Sequence, residues 1–287
     1  MPRHPCRLRR ITVALVVLLL PLALQADEFP SSINRQKPRL APPRQGLAFC
    51  VFGDCQPAGD ASRSRITSSI ARAMAVEQPQ FVMGLGDYID GAKGLAATAQ
   101  QWQRFFAAIA PLMQPTPIPL ALTIGNHDDG SPLFERYFGR RYFSFDVGTV
   151  HVIILDSQQP GQYGQIAGTQ WQWLNADLTA AAQARFIFVA VHQPLFPVSV
   201  HRGSSLDRYP NYRDRLHMLF ARQKVSAVFS GHEHLYNHQQ RDGVHYFISG
   251  GGGAPLYAEA PRGGFYHYLL VECTDESFSV QVKRLNL

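Results

Sequence analysis

LAFCVFGDCQP, residues 47–57, is an apolar run that stops at Gly53 and then presents an acid, Asp54, and an amide, Gln56, two places apart. An uninterrupted apolar run of this length reads as a buried strand. Residues two apart on an extended chain point the same way, so if Asp54 holds a cation, Gln56 is aimed at it too. Glutamine is an unusual residue for that position. Three readings stay open at this point: a metal site with a damaged ligand, a site tuned by a weaker one, or a polar turn.

The rest of the chain repeats this grammar. Apolar runs recur at FVMGLG (81–86), IPLALTIG (118–125), TVHVIILD (149–156), FIFVAV (186–191), VSAVFSG (225–231) and VHYFISG (244–250), with GFYHYLLVEC and SFSVQVKRL closing the chain. Between the first two lies a helical stripe of Ile66, Ile70 and Met74, and the spacing predicts further helices near 98–110, 168–182 and 211–223. Runs alternating with helices give an α/β fold. The polar residues cluster just after the runs: Asp54, then Asp87 and Asp90, then Asn126 and His127, then His192, then His232 and His234. In open α/β sheets, ligands bind beyond the carboxyl ends of the strands, so five strand ends deliver metal-type side chains to one edge.

The N-terminus has a different character. MPRHPCRLRR is basic, and ITVALVVLLLPLAL after it is too short for the roughly 20 residues of a spanning helix, so residues 1–26 read as a secretory signal cleaved after Ala26, with an uncleaved anchor as the alternative. Residues 27–46, with Pro30, Pro38, Pro42 and Pro43, read as a Pro-rich tether, leaving a single domain over 47–287. The expected location is secreted or periplasmic, with no stable membrane partner after cleavage. The formal charge of +6 comes from 27 basic and 21 acidic residues, and four of the arginines (3, 7, 9 and 10) lie in the signal. The remaining 23 against 21 leave +2, which gives no argument for nucleic acid. Cys50, Cys55 and Cys273 remain after the signal. A Cys50–Cys273 bridge would need the first and last strands to be neighbours, and buried thiols acting as small hydrophobes are the simpler reading.

Taken in order, GDCQ (53–56), GDYID (86–90), GNHDD (125–129), VHQP (191–194) and GHEH (231–234) resemble the calcineurin-like metallophosphoesterase family, with glutamine in place of histidine in its first motif. The glycine-rich ISGGGGAPLY (248–257) is similar to the segment that follows the last motif in many members. The resemblance implies an αββα sandwich of two mixed sheets flanked by helices. It also implies two divalent metal ions (Mn, Fe, Mg or Zn, with Mn favoured). Asp87 would bridge them, Asp54, Gln56 and His234 would serve one, and Asn126, His192 and His232 the other. The activity implied is hydrolysis of phosphate esters by a metal-bridging hydroxide, with His127 protonating the leaving oxygen and Asp90 orienting His127.

A small phosphorylated substrate and a monomeric, acid-phosphatase-like phosphomonoesterase are expected. The alternatives are a nucleotide phosphodiesterase or diphosphatase of the ADP-ribose/CDP-alcohol type and a non-catalytic phosphate-binding module. Gly91 and Ile124 stand where protein Ser/Thr phosphatases carry arginines, so that specificity is not expected. Asp90 stands where purple acid phosphatases carry a tyrosine, and Tyr88 is out of register with it. Asp128 is expected to brace its loop and Asp129 to cap the next helix. His151 reads as a satisfied packing histidine. His201 and Arg202, in a turn-rich stretch after His192, are candidates for a substrate contact.

Overall fold

Strand β1 (Leu47–Phe52) sends Phe49 and Val51 to one side and Cys50 and Phe52 to the other, and all four are fully buried. That is the two-sided burial expected of its unbroken apolar run. The computed structural model describes residues 31–35, 40 and 46–286. The strands that follow are β2 (Phe81–Gly84), β3 (Leu120–Leu122), β4 (Phe143–Val147), β5 (Val150–Ile154), β6 (Phe186–Ala190), β7 (Ala227–Ser230), β8 (Tyr236–Arg241), β9 (Val244–Ser249), β10 (His267–Cys273) and β11 (Phe278–Arg284). They form two mixed sheets, of order β11-β10-β1-β2-β3 and β4-β5-β6-β7-β9-β8. β1, β2 and β3 run parallel in the first, and β5, β6, β7 and β9 in the second.

The sheets face each other across an aromatic core in which Phe49 stacks on Phe81 at 4.8 Å and meets Phe188 edge-on at 5.2 Å. Helices α1 (Ala61–Val76), α2 (Leu95–Ala108) and the short α3 (Leu133–Tyr137) cover the outer face of the first sheet through Ile70, Met74, Trp102 and Phe134. α4 (Gly168–Ala180) and α5 (Pro210–Arg222) cover the second through Leu174, Leu178, Leu219 and Phe220. The layers are therefore α, β, β, α, as the resemblance implied. Among the described residues no helix is long and apolar enough to cross a membrane.

The signal 1–26 and most of the 27–46 tether lie outside the described residues. Where the tether is described it is not a free linker. Ser31 and Ile33 exchange backbone hydrogen bonds with Leu120 at 2.8 Å each, and Ile33 and Asn34 are buried. The Asn34 carboxamide donates to Leu122 O at 2.8 Å and accepts from Leu122 N at 2.9 Å, so it satisfies the open edge of β3. The domain thus begins before Leu47.

β1 and β10 are neighbours, but Cys273 lies opposite Leu47 and Cys50 opposite Leu270, with the two thiols in different cores. All three described cysteines are free and buried, and burial pushes Cys50 and Cys273 up to about 12.

His151 on β5 is more than packing. Its Nδ1 faces Asp146 of β4 at 2.6 Å and its Nε2 faces Asp177 of α4 at 2.9 Å, while Ser144 Oγ donates to Asp177 at 2.6 Å. Both carboxylates accept, so both ring nitrogens donate and the imidazole is held protonated. Burial opposes this charge, but the two carboxylates raise its pKa above the ordinary value. A raised folded pKa stabilises the fold below the unfolded value of about 6.5, and that contribution is lost as pH rises through the folded value. The gap in melting temperature between the parent and His151→Leu is therefore expected to be wider near pH 6 than near pH 9. Thermal melts at the two pH values check this, and an equal gap at both would count against a protonated His151.

Candidate metal centre

Each sequence-predicted ligand comes from the loop at the carboxyl end of a parallel strand, and several of these loops turn through left-handed backbone. Asp54, Gln56, Asp87 and His232 have φ of 58°, 42°, 54° and 69°. Such conformations cost of order 1–3 kcal/mol each in a non-glycine residue and persist only where the surroundings hold them. Here the holding groups are visible. Asp54 N and Cys55 N donate to Gly86 O and Asp87 O at 2.9 and 3.0 Å, which ties the first loop to the second. Asp128 ties the second to the third, accepting from Asp87 N (2.7 Å), Tyr88 N (2.8 Å), Ile89 N (3.2 Å) and Gly125 N (2.9 Å). The bracing role expected for Asp128 is the one found. Glycine is required at Gly86, where φ is +92° and a Cβ would stand 2.7 Å from His192 Nδ1.

Two groups of donor atoms converge, Asp87 with His192 and His232, and Asp54 with Asp87 and His234, the atoms of each lying within 4.8 Å of one another. Asp87 belongs to both, at the position the resemblance assigned to a bridge. His192 Nε2 is 3.4 Å from Asp87 Oδ2 and 2.9 Å from Asn126 Oδ1, so Asn126 joins the first group. His234 Nε2 lies 3.6 Å from Asp54 Oδ1. Carbonyls fix the tautomers: His192 Nδ1 donates to Leu85 O at 2.7 Å and His234 Nδ1 to Pro255 O at 2.8 Å, leaving each Nε2 for a cation.

The electrostatics fit a cation pair. Burial raises Asp54 well above the usual carboxylate range. Burial would do the same to Asp87, but the His192 and His127 imidazoles beside it hold it down. Burial, with other histidines nearby, pushes His232 down to about 2; burial also takes His234 to about 4, so both are neutral bases with lone pairs to give. Burial alone would lower His192, but the Asp87 carboxylate pushes it up to about 9. Buried acids and the neutral imidazoles of His232 and His234 are a donor set that divalent ions take, and an ion beside Asp87 would displace the proton that His192 holds there.

Gln56 is 4% exposed and its N–H donates to Asp87 O at 3.4 Å, within the same knot of loops as Asp54. If its amide oxygen is a ligand, that position is harder than one with imidazole and should favour Mn²⁺ or Mg²⁺ over Zn²⁺. Gln56→Ala is then expected to weaken metal binding by about 10-fold or more, and Gln56→His to raise zinc retention and shift the activating metal. Competition titrations with a chelating dye measure both. Parental affinity and metal preference in Gln56→Ala would make the residue a turn.

His127 stands apart from both groups, with its Nε2 4.0 Å from Asp87 Oδ2 and its side chain 42% exposed, toward solvent and any incoming ester. Its orientation differs from the expectation. His127 Nδ1 donates to the main-chain carbonyl of Asp90 at 2.8 Å, while the Asp90 carboxylate pairs with Arg63 Nη1 at 2.8 Å. Asp90 therefore places the ring through its backbone, and the Arg63 pair holds that backbone. Asp129 caps no helix; it accepts from Arg141 Nη1 and Tyr163 Oη at 3.1 Å each.

Two contributors were not read from the sequence. Glu233, between the two histidines of GHEH, is fully buried and accepts from Val198 N (2.7 Å), Ser199 N (2.6 Å) and His201 N (3.4 Å). It thereby holds the loop that lays the His201 ring over His232 at 3.9 Å. Tyr257 stacks on His234 at 4.1 Å with its hydroxyl 3.4 Å from Nε2, and burial, with Asp54 and Asp87 near, pushes it up to about 12. Alternation could have pointed Glu233 away from the metals, but its partner lies over thirty residues upstream.

The human serine/threonine-protein phosphatase CPPED1 is 32% identical over 202 residues, covering 63% of this chain and 63% of that protein, so the chain spans under two thirds of that relative's length. In fold, the chain is similar to purple acid phosphatase PPD1 of yellow lupin (TM-score 0.65, 17% identity, 83% of this chain and 51% of that one). It is equally similar to GAP50 of Plasmodium, described as the anchor in the inner membrane complex (TM-score 0.65, 16% identity, 83% and 84%). The profile of the calcineurin-like phosphoesterases matches residues 47–236, most of the described fold and every candidate ligand loop, and the chain belongs to that family.

Proposed function

We propose that the protein is an exported, divalent-metal-dependent phosphomonoesterase. The observation that carries the reading is the sharing of Asp87 by two donor groups with His127 poised beside it. Asp54, Gln56, Asp87 and His234 would hold one ion, and Asp87, Asn126, His192 and His232 the other. When bound, such ions supply positive charge for phosphate oxygens and acidify water near neutral pH. The oxygen-rich first position supports Mn²⁺ there.

The chain's own residues do the rest. His127 has Nδ1–H committed to Asp90 O, so in its protonated form it carries a second N–H on Nε2, the nitrogen nearer the metal centre. As the phosphorus–oxygen bond to the leaving group breaks and the oxygen of water takes its place, that proton passes to the leaving oxygen. His201, whose ring lies over that of His232, would contact the phosphate.

Monoesters are favoured by the names of the relatives, a protein phosphatase among them. Those names bring phosphoserine and phosphothreonine peptides within the reading, although Gly91 and Ile124 supply no arginine clamp. Export is supported by the basic and apolar segments of 1–26.

Manganese-loaded protein is assayed against p-nitrophenyl phosphate, bis-p-nitrophenyl phosphate, ADP-ribose and phosphopeptides, ranked by kcat/KM. A diester or ADP-ribose at the top would overturn the monoester reading. Inertness toward all of them would favour a binding module, a use of the fold consistent with the anchor named among its structural neighbours.

A further inference from the structure

Tyr257 separates the metal centre from a cleft of about 930 Å³ that runs along the start of β8, under the 256–263 loop, to the end of β11. Its near wall is Val198 and Ser199, two of the residues whose N–H groups Glu233 holds, at 2.7 and 2.6 Å. Its far wall is Arg284, whose guanidinium lies 3.8 Å over the Phe265 ring. β8 is the terminal strand of its sheet among the described residues. Tyr236 N donates away from the sheet, to Gly263 O at 2.8 Å. In an antiparallel strand main-chain groups alternate in direction, so those of His238 and Gln240 also face away from β9. Arg262 and Arg284 outnumber Glu259 among the charged residues of the lining.

We propose that this cleft binds the polypeptide that bears the phosphate, extended along β8, with an acidic side chain next to the phosphorylated residue held by Arg262 and Arg284. The inference rests on the phosphomonoesterase reading and adds the substrate class. The outward-facing main-chain groups of His238, the residue of the lining beyond the one that Gly263 already holds, match the amides of an extended peptide. Two guanidinium groups, one fixed by an aromatic face, match carboxylates. The phosphate end then lies across Tyr257, whose ring stands 5.6 Å from that of His201.

The test has two readouts. Metal-free protein is titrated with a fluorescent, dephosphorylated peptide carrying acidic residues around its serine, and with a lysine-substituted copy. Tight binding of the acidic peptide alone is expected, weakened about 10-fold or more in the Arg262→Ala/Arg284→Ala double variant. Arg284→Lys, which keeps the charge, should lose less. Metal-loaded enzyme should lose a similar factor in kcat/KM on the phosphopeptide and keep its kcat/KM on p-nitrophenyl phosphate. Equal losses on both esters, no loss on the peptide, or arginine dependence that appears with ADP-ribose instead would overturn the proposal. Arginine-dependent peptide binding by a protein inert toward every ester would sink the phosphomonoesterase reading and leave the cleft assignment standing.

Discussion

Asp87→Asn is expected to lower kcat/KM on p-nitrophenyl phosphate by about 10³-fold or more and to strip metal from both positions. Asp87 is the residue common to the two donor groups, and it is 2% exposed, so no water can take over its charge cheaply. Asparagine keeps the side-chain oxygen that accepts His127 N–H at 2.9 Å, so the third loop stays anchored while the bridging charge is lost. Metal content by mass spectrometry, read beside the kinetics, separates loss of ions from loss of fold. Two retained ions with near-parental activity would show that Asp87 is not the bridge.

His127→Ala is expected to cost about 10²- to 10⁴-fold in kcat with metal content unchanged, because the ring belongs to neither donor group. The loss should be smaller for p-nitrophenyl phosphate than for alkyl phosphates, since a good leaving group needs little protonation. Equal losses across leaving groups would argue that His127 only binds phosphate.

Strands that run through the middle of a sheet announce themselves, because burial on both faces leaves no place for a polar residue; β1, β6 and β7 are such cases. β8, YNHQQR, could not be recognised, since as an edge strand it faces solvent and its pairing with β9 is a matter of backbone alone. β4, FSFDV, is also an edge strand, and its alternation runs over only five residues, too few to mark it in the sequence. At the centre, the candidate ligands were legible because metal chemistry restricts side-chain type. The seat of His127 was not, because a carbonyl accepts its proton and every residue has a carbonyl; the acid at position 90 drew attention to the wrong atom. The His201 loop needed the third dimension, since Glu233 reaches it from a different strand end.

The Ser31–Asn34 segment has a consequence for how the chain keeps company with its own copies. It shields the outermost strand of the first sheet, where Leu120 and Leu122 would otherwise offer unpaired main-chain groups to any passing strand. A version trimmed to begin at Leu47 would keep every ligand and still expose that sticky border, inviting edge-to-edge growth of aggregates. The Ser31–Asn34 segment thus acts as a guard on solubility, and the place to shorten the chain is upstream of Ser31.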